Sequence, residues 1–176
     1  MKKKLFSAAL TVLVLLNLPA CSEKEPVASH SAPLAVYENF ETVEGMRIKM
    51  SSGNTEVVII LNGSAAAADL AEMLPLELTL IERNGFAKGM TLPQPLDTDE
   101  ATTREYKIGD FGYWAAGPDL AIFYDDIYER TIVPVIPIGR AESGAENMRN
   151  TSGTVRLELM TEKETADEYR IGQSIG

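Results

Sequence analysis

Gly109-Asp-Phe-Gly-Tyr-Trp-Ala-Ala-Gly-Pro-Asp-Leu-Ala-Ile-Phe-Tyr-Asp125 is the stretch on which the fold turns. Gly109-Asp110 is turn chemistry that leads into a strand at 111–115, and Gly117-Pro118-Asp119 is a second turn signal. Residues 120–124 are the strongest strand-forming run in the chain. Successive side chains on a strand face opposite sides, so Tyr113 and Trp114 cannot both point into a core, nor can Phe123 and Tyr124. One member of each pair is left for an aromatic wall.

Outward from this stretch the same signals recur. Met46, Ile48 and Met50 alternate with Arg47, Lys49 and Ser51, the period of a half-buried strand. Ser52-Gly53-Asn54 is a turn, and Val57-Val-Ile-Ile-Leu61 answers as the hairpin partner. Ser64 stands where it can cap a helix over the alanine-rich run 65–74, with Pro75 after its end. Residues 76–81 alternate as a third strand, Arg83-Asn84-Gly85 turns, and 86–92 offers a shorter fourth. Two prolines and the acids Asp97, Asp99 and Glu100 predict a loop over 93–103, followed by a strand at 104–108. Residues 132–138 are apolar and β-branched, but Pro134 and Pro137 restrict them to an edge or a bulge. A second short helix is predicted over 141–149 and a last strand over 154–160, and the charged stretch 161–176 is expected to fray. Eight or nine short strands with two brief helices predict a mainly β fold. The expected architecture is a closed or nearly closed β-barrel of about eight strands, because closure removes exposed edges.

The 176 residues have the length of one domain. A hydrophobic fraction of 45 % and a charged fraction of 24 % are those of a globular protein, not of a disordered or collagen-like chain. Sixteen basic against 26 acidic residues give a formal charge of −10, which supplies no basic face and predicts no nucleic-acid partner. One Cys and one His are too few for a usual zinc site, and one Cys forbids an internal disulfide; no metal and no cofactor are expected. A Ser-His relay also lacks its base in the domain, since His30 falls in a linker. Nucleophile-elbow, phosphate-loop and dinucleotide fingerprints are absent.

Residues 1–20 read as an export signal: Lys2, Lys3 and Lys4 precede a 14-residue apolar run, 5–18, too short for a membrane-spanning helix. Leu18-Pro19-Ala20-Cys21 resembles a bacterial lipobox, which implies lipidation of Cys21 and a membrane partner reached through that lipid. Loss of the three lysines, with no acid, takes the formal charge from −10 to −13. Residues 21–44 then form a tether, polar and rich in Pro, Ser and Ala, that holds the 45–160 domain roughly 25 Å from its anchor. The expected location is the bacterial cell envelope. Ser22 after Cys21 resembles the outer-membrane sorting pattern, which would apply in a Gram-negative source.

Taken together, Gly109-Asp-Phe-Gly-Tyr-Trp114, Gly117-Pro-Asp-Leu-Ala-Ile-Phe-Tyr-Asp125 and Pro137-Ile-Gly-Arg140 with Ser143-Gly144 resemble the small bacterial cyclophilin-like domains. Asn62-Gly-Ser-Ala, Leu74-Pro75 and Thr91-Leu92-Pro93 are similar as well, so the resemblance runs from Gly45 to Met160. It implies a cyclophilin-type barrel flanked by two helices. Cyclophilins isomerise X-Pro bonds against a barrier of about 18–20 kcal/mol, using an apolar pocket for the ring and an Arg directed at the prolyl nitrogen. The strand corresponding to their Phe-His-Arg is Phe86-Ala87-Lys88, and a lysine is a compact charge, not a planar fork. Lys88 is therefore the catalytic candidate only if the protein is an isomerase.

The ligand-binding candidates are Tyr113, Trp114, Tyr124 and Arg140. The aromatics offer a wall, and the guanidinium can hold a carboxylate bidentately or pair within the fold with Asp110 or Asp125. Helix capping at Gly63-Ser64 also presents backbone N–H groups to an anion. The leading expectation is a non-catalytic binding module for a peptide or a small ligand. A divergent peptidyl-prolyl isomerase and a structural envelope protein are the alternatives.

Overall fold

The computed structural model describes residues 42–161 and 163–164. The signal, Cys21 and the tether up to residue 41 lie outside the described residues, as does most of the charged C-terminal stretch. Eight antiparallel strands close into a barrel: β1 (Arg47–Ser52), β2 (Thr55–Leu61), β3 (Leu76–Arg83), β4 (Ala87–Thr91), β5 (Asp110–Trp114), β6 (Asp119–Phe123), β7 (Ile136–Ala141) and β8 (Gly153–Leu159). Around the barrel they run β1-β2-β7-β5-β6-β4-β3-β8, with β8 returning to β1. Alternation sends Ile48, Met50, Val57, Ile59, Phe111, Tyr113, Leu120, Ile122, Val155 and Leu157 inward, where they are almost fully buried. The interior is a packed core and not a channel.

Helix α1 (Ala65–Met73) starts where Ser64 Oγ accepts from Ala67 N at 3.2 Å and buries Ala66, Ala67 and Leu70. The carboxylate of Glu100 accepts from Ala65 N at 2.7 Å, so the anion at this helix start is the protein's own. A 3-10 helix, Ala145–Asn150, packs Ala145 and Met148 against β2, β4 and β6. β2 begins beside this helix, where Thr151 and Thr55 hydroxyls meet at 3.3 Å, and ends at α1. The two helices therefore close opposite ends of the barrel. No helix among the described residues is long and apolar enough to cross a membrane.

Three departures from the sequence reading have physical causes. Residues 104–108 are not a strand: only Thr103 bridges to Val135, and the segment instead folds over the barrel's outer face. The strand expected over 132–138 is Ile136–Ala141, and of its two expected positions it takes the bulge and not the edge: the barrel is closed, and Pro137 sits where the β5–β7 register shifts between Phe111 and Gly112. The second helix is a single 3-10 segment starting at Ala145, after Gly144 takes φ 76°. The β3–β4 connection follows expectation, with Asn84 and Gly85 at φ 54° and 77°, the left-handed pair of a type I′ turn.

The start of the charged C-terminal stretch is anchored. Thr161 N and Oγ1 both donate to Glu164 Oε2, at 2.9 and 2.8 Å, and Glu164 N donates back to Thr161 Oγ1 at 3.3 Å. This is a capping box. Lys49 of β1 ties it to the barrel through Glu164 Oε1 at 3.2 Å, and these bonds, led by those from Thr161, hold the carboxyl down at about 2.

Candidate functional site

β4 carries the lysine that the sequence singled out. Alternation places Lys88 on the face of Met90, toward the interior, opposite Ile122 on β6 and Glu82 on β3. Its Nζ donates to Glu82 Oε2 at 2.7 Å and lies 5.4 Å from the centroid of the Tyr124 ring. Glu82 Oε1 accepts from the Tyr124 hydroxyl at 2.8 Å and from Gly85 N at 3.1 Å. The Arg149 guanidinium, on the 3-10 helix, stands 5.3 Å from the same ring and pairs with Asp125 at 2.5 Å. Burial works to raise the Glu82 carboxyl, but hydrogen bonds from Lys88, Tyr124 and Gly85 outweigh it and hold it below its ordinary value. Burial, reinforced by the bond to Glu82, pushes the Tyr124 phenol up to about 12. At 5 % exposure the Lys88 ammonium is spent inside this network.

The opposite face of the same sheet is built differently. Small residues, Ala87 and Gly89 on β4, Gly112 on β5 and Ala121 on β6, leave a trough on the outside, and the chain fills it. A Cβ on Gly89 would fall 2.7 Å from Arg83 Nε, and one on Gly112 would fall 3.2 Å from Val135 Cγ2. Phe86, Tyr106 and Phe123 pack here, with Tyr106 stacked on Phe123 at 4.7 Å and tilted against Phe86 at 5.1 Å. Trp114 lies against this layer, its ring so close to Gly117 that a Cβ there would meet Cζ3 at 2.4 Å. Asp119, almost fully buried, is satisfied by Arg83 and by Thr91 Oγ1 at 2.5 Å.

Beside this layer opens a cleft of about 680 Å³, lined by Glu105, Tyr106, Lys107, Asp110, Glu129, Arg130 and Arg140. Three segments build it: the turn before β5, the loop 125–134 and β7. The first two are stitched together by Thr131 N to Arg104 O at 2.8 Å and Tyr128 N to Tyr106 Oη at 3.0 Å. Arg140 pairs with Asp110 Oδ1 and donates to Ile108 O at 2.9 Å, while Asp110 Oδ2 accepts from Lys107 N at 2.8 Å. The guanidinium is thereby fixed at the cleft wall. Among the described residues, Arg104, Lys107 and Arg130 are the basic side chains of the 45–160 domain that make no ion pair. Two of these three line the cleft. No group of three or more His, Cys, Asp or Glu side chains converges as a metal site among the described residues.

The sequence model of the cyclophilin-like family matches residues 50–160. The chain belongs to the cyclophilin-like family. No match was found among curated proteins. In shape, the cyclophilin-like domain resembles the solution structure of the hypothetical protein AF2241 from Archaeoglobus fulgidus, with a TM-score of 0.57 and 20 % identity over 68 % of this chain and 97 % of that one. It also resembles McbB in complex with tryptophan, with a TM-score of 0.52 and 14 % identity over 65 % of this chain and 45 % of that one. This chain thus spans less than half of McbB. At these identities the likeness is one of fold.

Within the cyclophilin-like domain the sequence candidates separate. Tyr113 is fully buried, its hydroxyl accepting from Leu96 N at 3.2 Å, and Tyr124 is sealed in the barrel end; neither belongs to an open aromatic wall. Trp114 sits on the outer layer and Arg140 lines the cleft, and of the two partners considered for Arg140 the structure uses Asp110. Lys88 lies on the opposite face of β4 from the aromatic layer, because Ala87 and Lys88 alternate. Glu105, Lys107, Glu129 and Arg130 had no signal in the sequence beyond being charged loop residues. Only the pairing of two loops brings them together.

Proposed function

We propose that the protein is a lipid-anchored binding module of the bacterial cell envelope, whose cyclophilin-like domain takes a peptide or a small ligand in the Arg140 cleft. The observation that carries this reading is the contrast between two charged sites. At the barrel end both cations are matched, Lys88 by Glu82 and Arg149 by Asp125. In the cleft, Lys107 and Arg130, and equally Glu105 and Glu129, have no ionic partner among the described residues, beside a guanidinium already fixed in place. Matched charges stabilise a fold, whereas unmatched ones around a concavity are free to meet a ligand.

Isomerase chemistry finds less support. It needs a cation beside an apolar pocket, and here Lys88 and the outer aromatic layer are on opposite faces of one strand. The purely structural role, the other alternative, leaves the cleft without a use.

The anchor is tested by growth with labelled palmitate. Label on the wild type, lost in Cys21→Ala along with membrane retention, is the expected result; an unlabelled wild type overturns the envelope part of the reading. The binding part is tested by amide NMR of the domain titrated with short peptides. Shifts gathered at 104–110, 128–131 and Arg140 are expected, and shifts nowhere in the cleft overturn it.

A further inference from the structure

Two seams of the barrel are only three residue pairs long, β2–β7 and β3–β4, so one stretch of β2 and one of β3 have a strand on one side only. On β2 the chain covers the gap: Glu142 N donates to Val58 O at 2.9 Å, and the Thr151 hydroxyl meets that of Thr55 at 3.3 Å. On β3 it does not. Leu76–Leu80 pair with β8, while β4 leaves β3 after Gly89 to follow β6, and Leu92 N goes on to Pro118 O. Among the described residues no strand or loop pairs with Leu76–Leu80 on that side. The core thins there as well: Leu76 and Leu78 are half-buried, whereas their partners on β8, Leu157 and Val155, are fully buried.

The outer face leading to this edge is a row of alternating charge. Lys49 on β1 stands opposite Glu158 on β8 and pairs with it at 3.3 Å, and Glu158 in turn accepts from Arg156 Nε at 3.0 Å. Arg156 stands opposite Glu77 on β3 and reaches it at 3.4 Å. The row ends there, on a carboxylate side chain 66 % exposed at the free side of β3.

We propose that the free side of Leu76–Leu80 is a strand-addition site for an extended peptide with a basic residue opposite Glu77 and apolar residues opposite Leu76 and Leu78. Unpaired N–H and C=O groups on a strand edge offer main-chain bonds to any extended chain, and side chains at alternate positions decide which one binds. A lysine or arginine opposite Glu77 continues the charge row by one step, and opposite charges facing each other across strands are favourable where like charges are not. A second copy of this chain is the poorer occupant. Five residues span about 17 Å, too short an edge for the roughly 1,000 Å² that a stable interface buries, and two copies of formal charge −10 repel. The same charge attracts a basic peptide. β3 stands across the barrel from β7, which carries Arg140, so this surface is distinct from the cleft and its failure leaves the reading of the cleft untouched.

Amide NMR of the full chain titrated with acetyl-Val-Thr-Val-Lys-Val-amide, whose lysine falls opposite Glu77 in an antiparallel register, tests this. Shifts and slowed hydrogen exchange are expected at 76–80. The peptide with glutamate in place of lysine should bind about fivefold more weakly, and Glu77→Lys should reverse that order. A strand turns every second N–H toward each neighbour, so methylating one alternate set of peptide nitrogens should abolish binding and methylating the other should spare it. Amides at 76–80 that respond to neither peptide overturn the proposal, as do equal binding of the two peptides and tolerance of both methylated sets. Protection of 76–80 that rises with protein concentration alone, with a doubled mass in sedimentation, assigns the edge to a second copy and overturns it too.

Discussion

The hydroxyl of Tyr124 and the ammonium of Lys88 converge on the same carboxylate, that of Glu82, at 2.8 and 2.7 Å, and the lysine also lies over the tyrosine ring. This knot joins β3, β4 and the end of β6 where the 3-10 helix closes the barrel. Lys88→Ala leaves Glu82 without its cation and opens space over the ring. The expected loss is about 1–3 kcal/mol in urea denaturation, below the cost of breaking a fully buried pair because Glu82 is half exposed. Lys88→Met, which keeps the apolar stem, should recover part of it. A variant as stable as the wild type would show that the knot is not structural.

The same knot sets two pH limits. Glu82 ionises near 4.5 when unfolded and lower when folded, so its stabilisation is complete above that value and is lost as pH falls through the folded value. Glu164, held at about 2, contributes in the same direction and over a similar window. Tyr124 works at the other end: it ionises near 10 unfolded and near 12 folded, so stability holds up to about pH 10 and falls between the two. Tyr124→Phe is expected to flatten the alkaline fall in melting temperature, and Glu82→Gln the acid one. Unchanged limbs would contradict the assigned linkage.

Trp114 is the chain's one tryptophan, so its emission reports a single environment. Gly117→Ala puts a methyl 2.4 Å from Cζ3 of the indole, a contact no side chain tolerates, and the ring must swing off the outer layer. A red-shifted emission with the far-UV circular dichroism intact is expected. An unshifted spectrum would mean the indole has room that the structure denies it.

Capping of α1 divides between two side chains, Ser64 and Glu100. Ser64→Ala is expected to cost about 1 kcal/mol and Glu100→Gln a few tenths, since the latter keeps an acceptor and loses the charge at the helix start. Denaturant midpoints check both. If the two losses come out reversed, the anion from the loop matters more than the cap.

Much of the fold was legible because strand alternation is a local signal. The alternation around Ile48 and Met50 reads as a half-buried strand and both are buried, and in its expected hairpin partner Val57, Ile59 and Leu61 face inward while Val58 and Ile60 do not. Tyr106 and Ile108 carry the same alternation in a segment that leaves the sheet, because Tyr106 finds its burial on the outer face, against Phe86 and Phe123. Nothing local distinguishes the two outcomes. Which of Tyr113 and Trp114 faces inward was equally undecided, since it depends on the register with β6 and β7. The cleft was the least legible feature. Arg140 was visible with Asp110 or Asp125 as its partner, but Lys107, Glu129 and Arg130 join it only through the bonds between Arg104 and Thr131 and between Tyr106 and Tyr128.

The central claim is that this barrel binds without isomerising, and one measurement reads both halves. Exchange NMR on a proline-containing peptide, mixed with the domain, reports the cis–trans rate from the peptide and the contact site from the protein. Uncatalysed exchange takes tens to hundreds of seconds. The account predicts that exchange cross-peaks stay absent while amides at 104–110, 128–131 and Arg140 shift. Exchange cross-peaks that appear with the wild type and vanish with Lys88→Ala would contradict it.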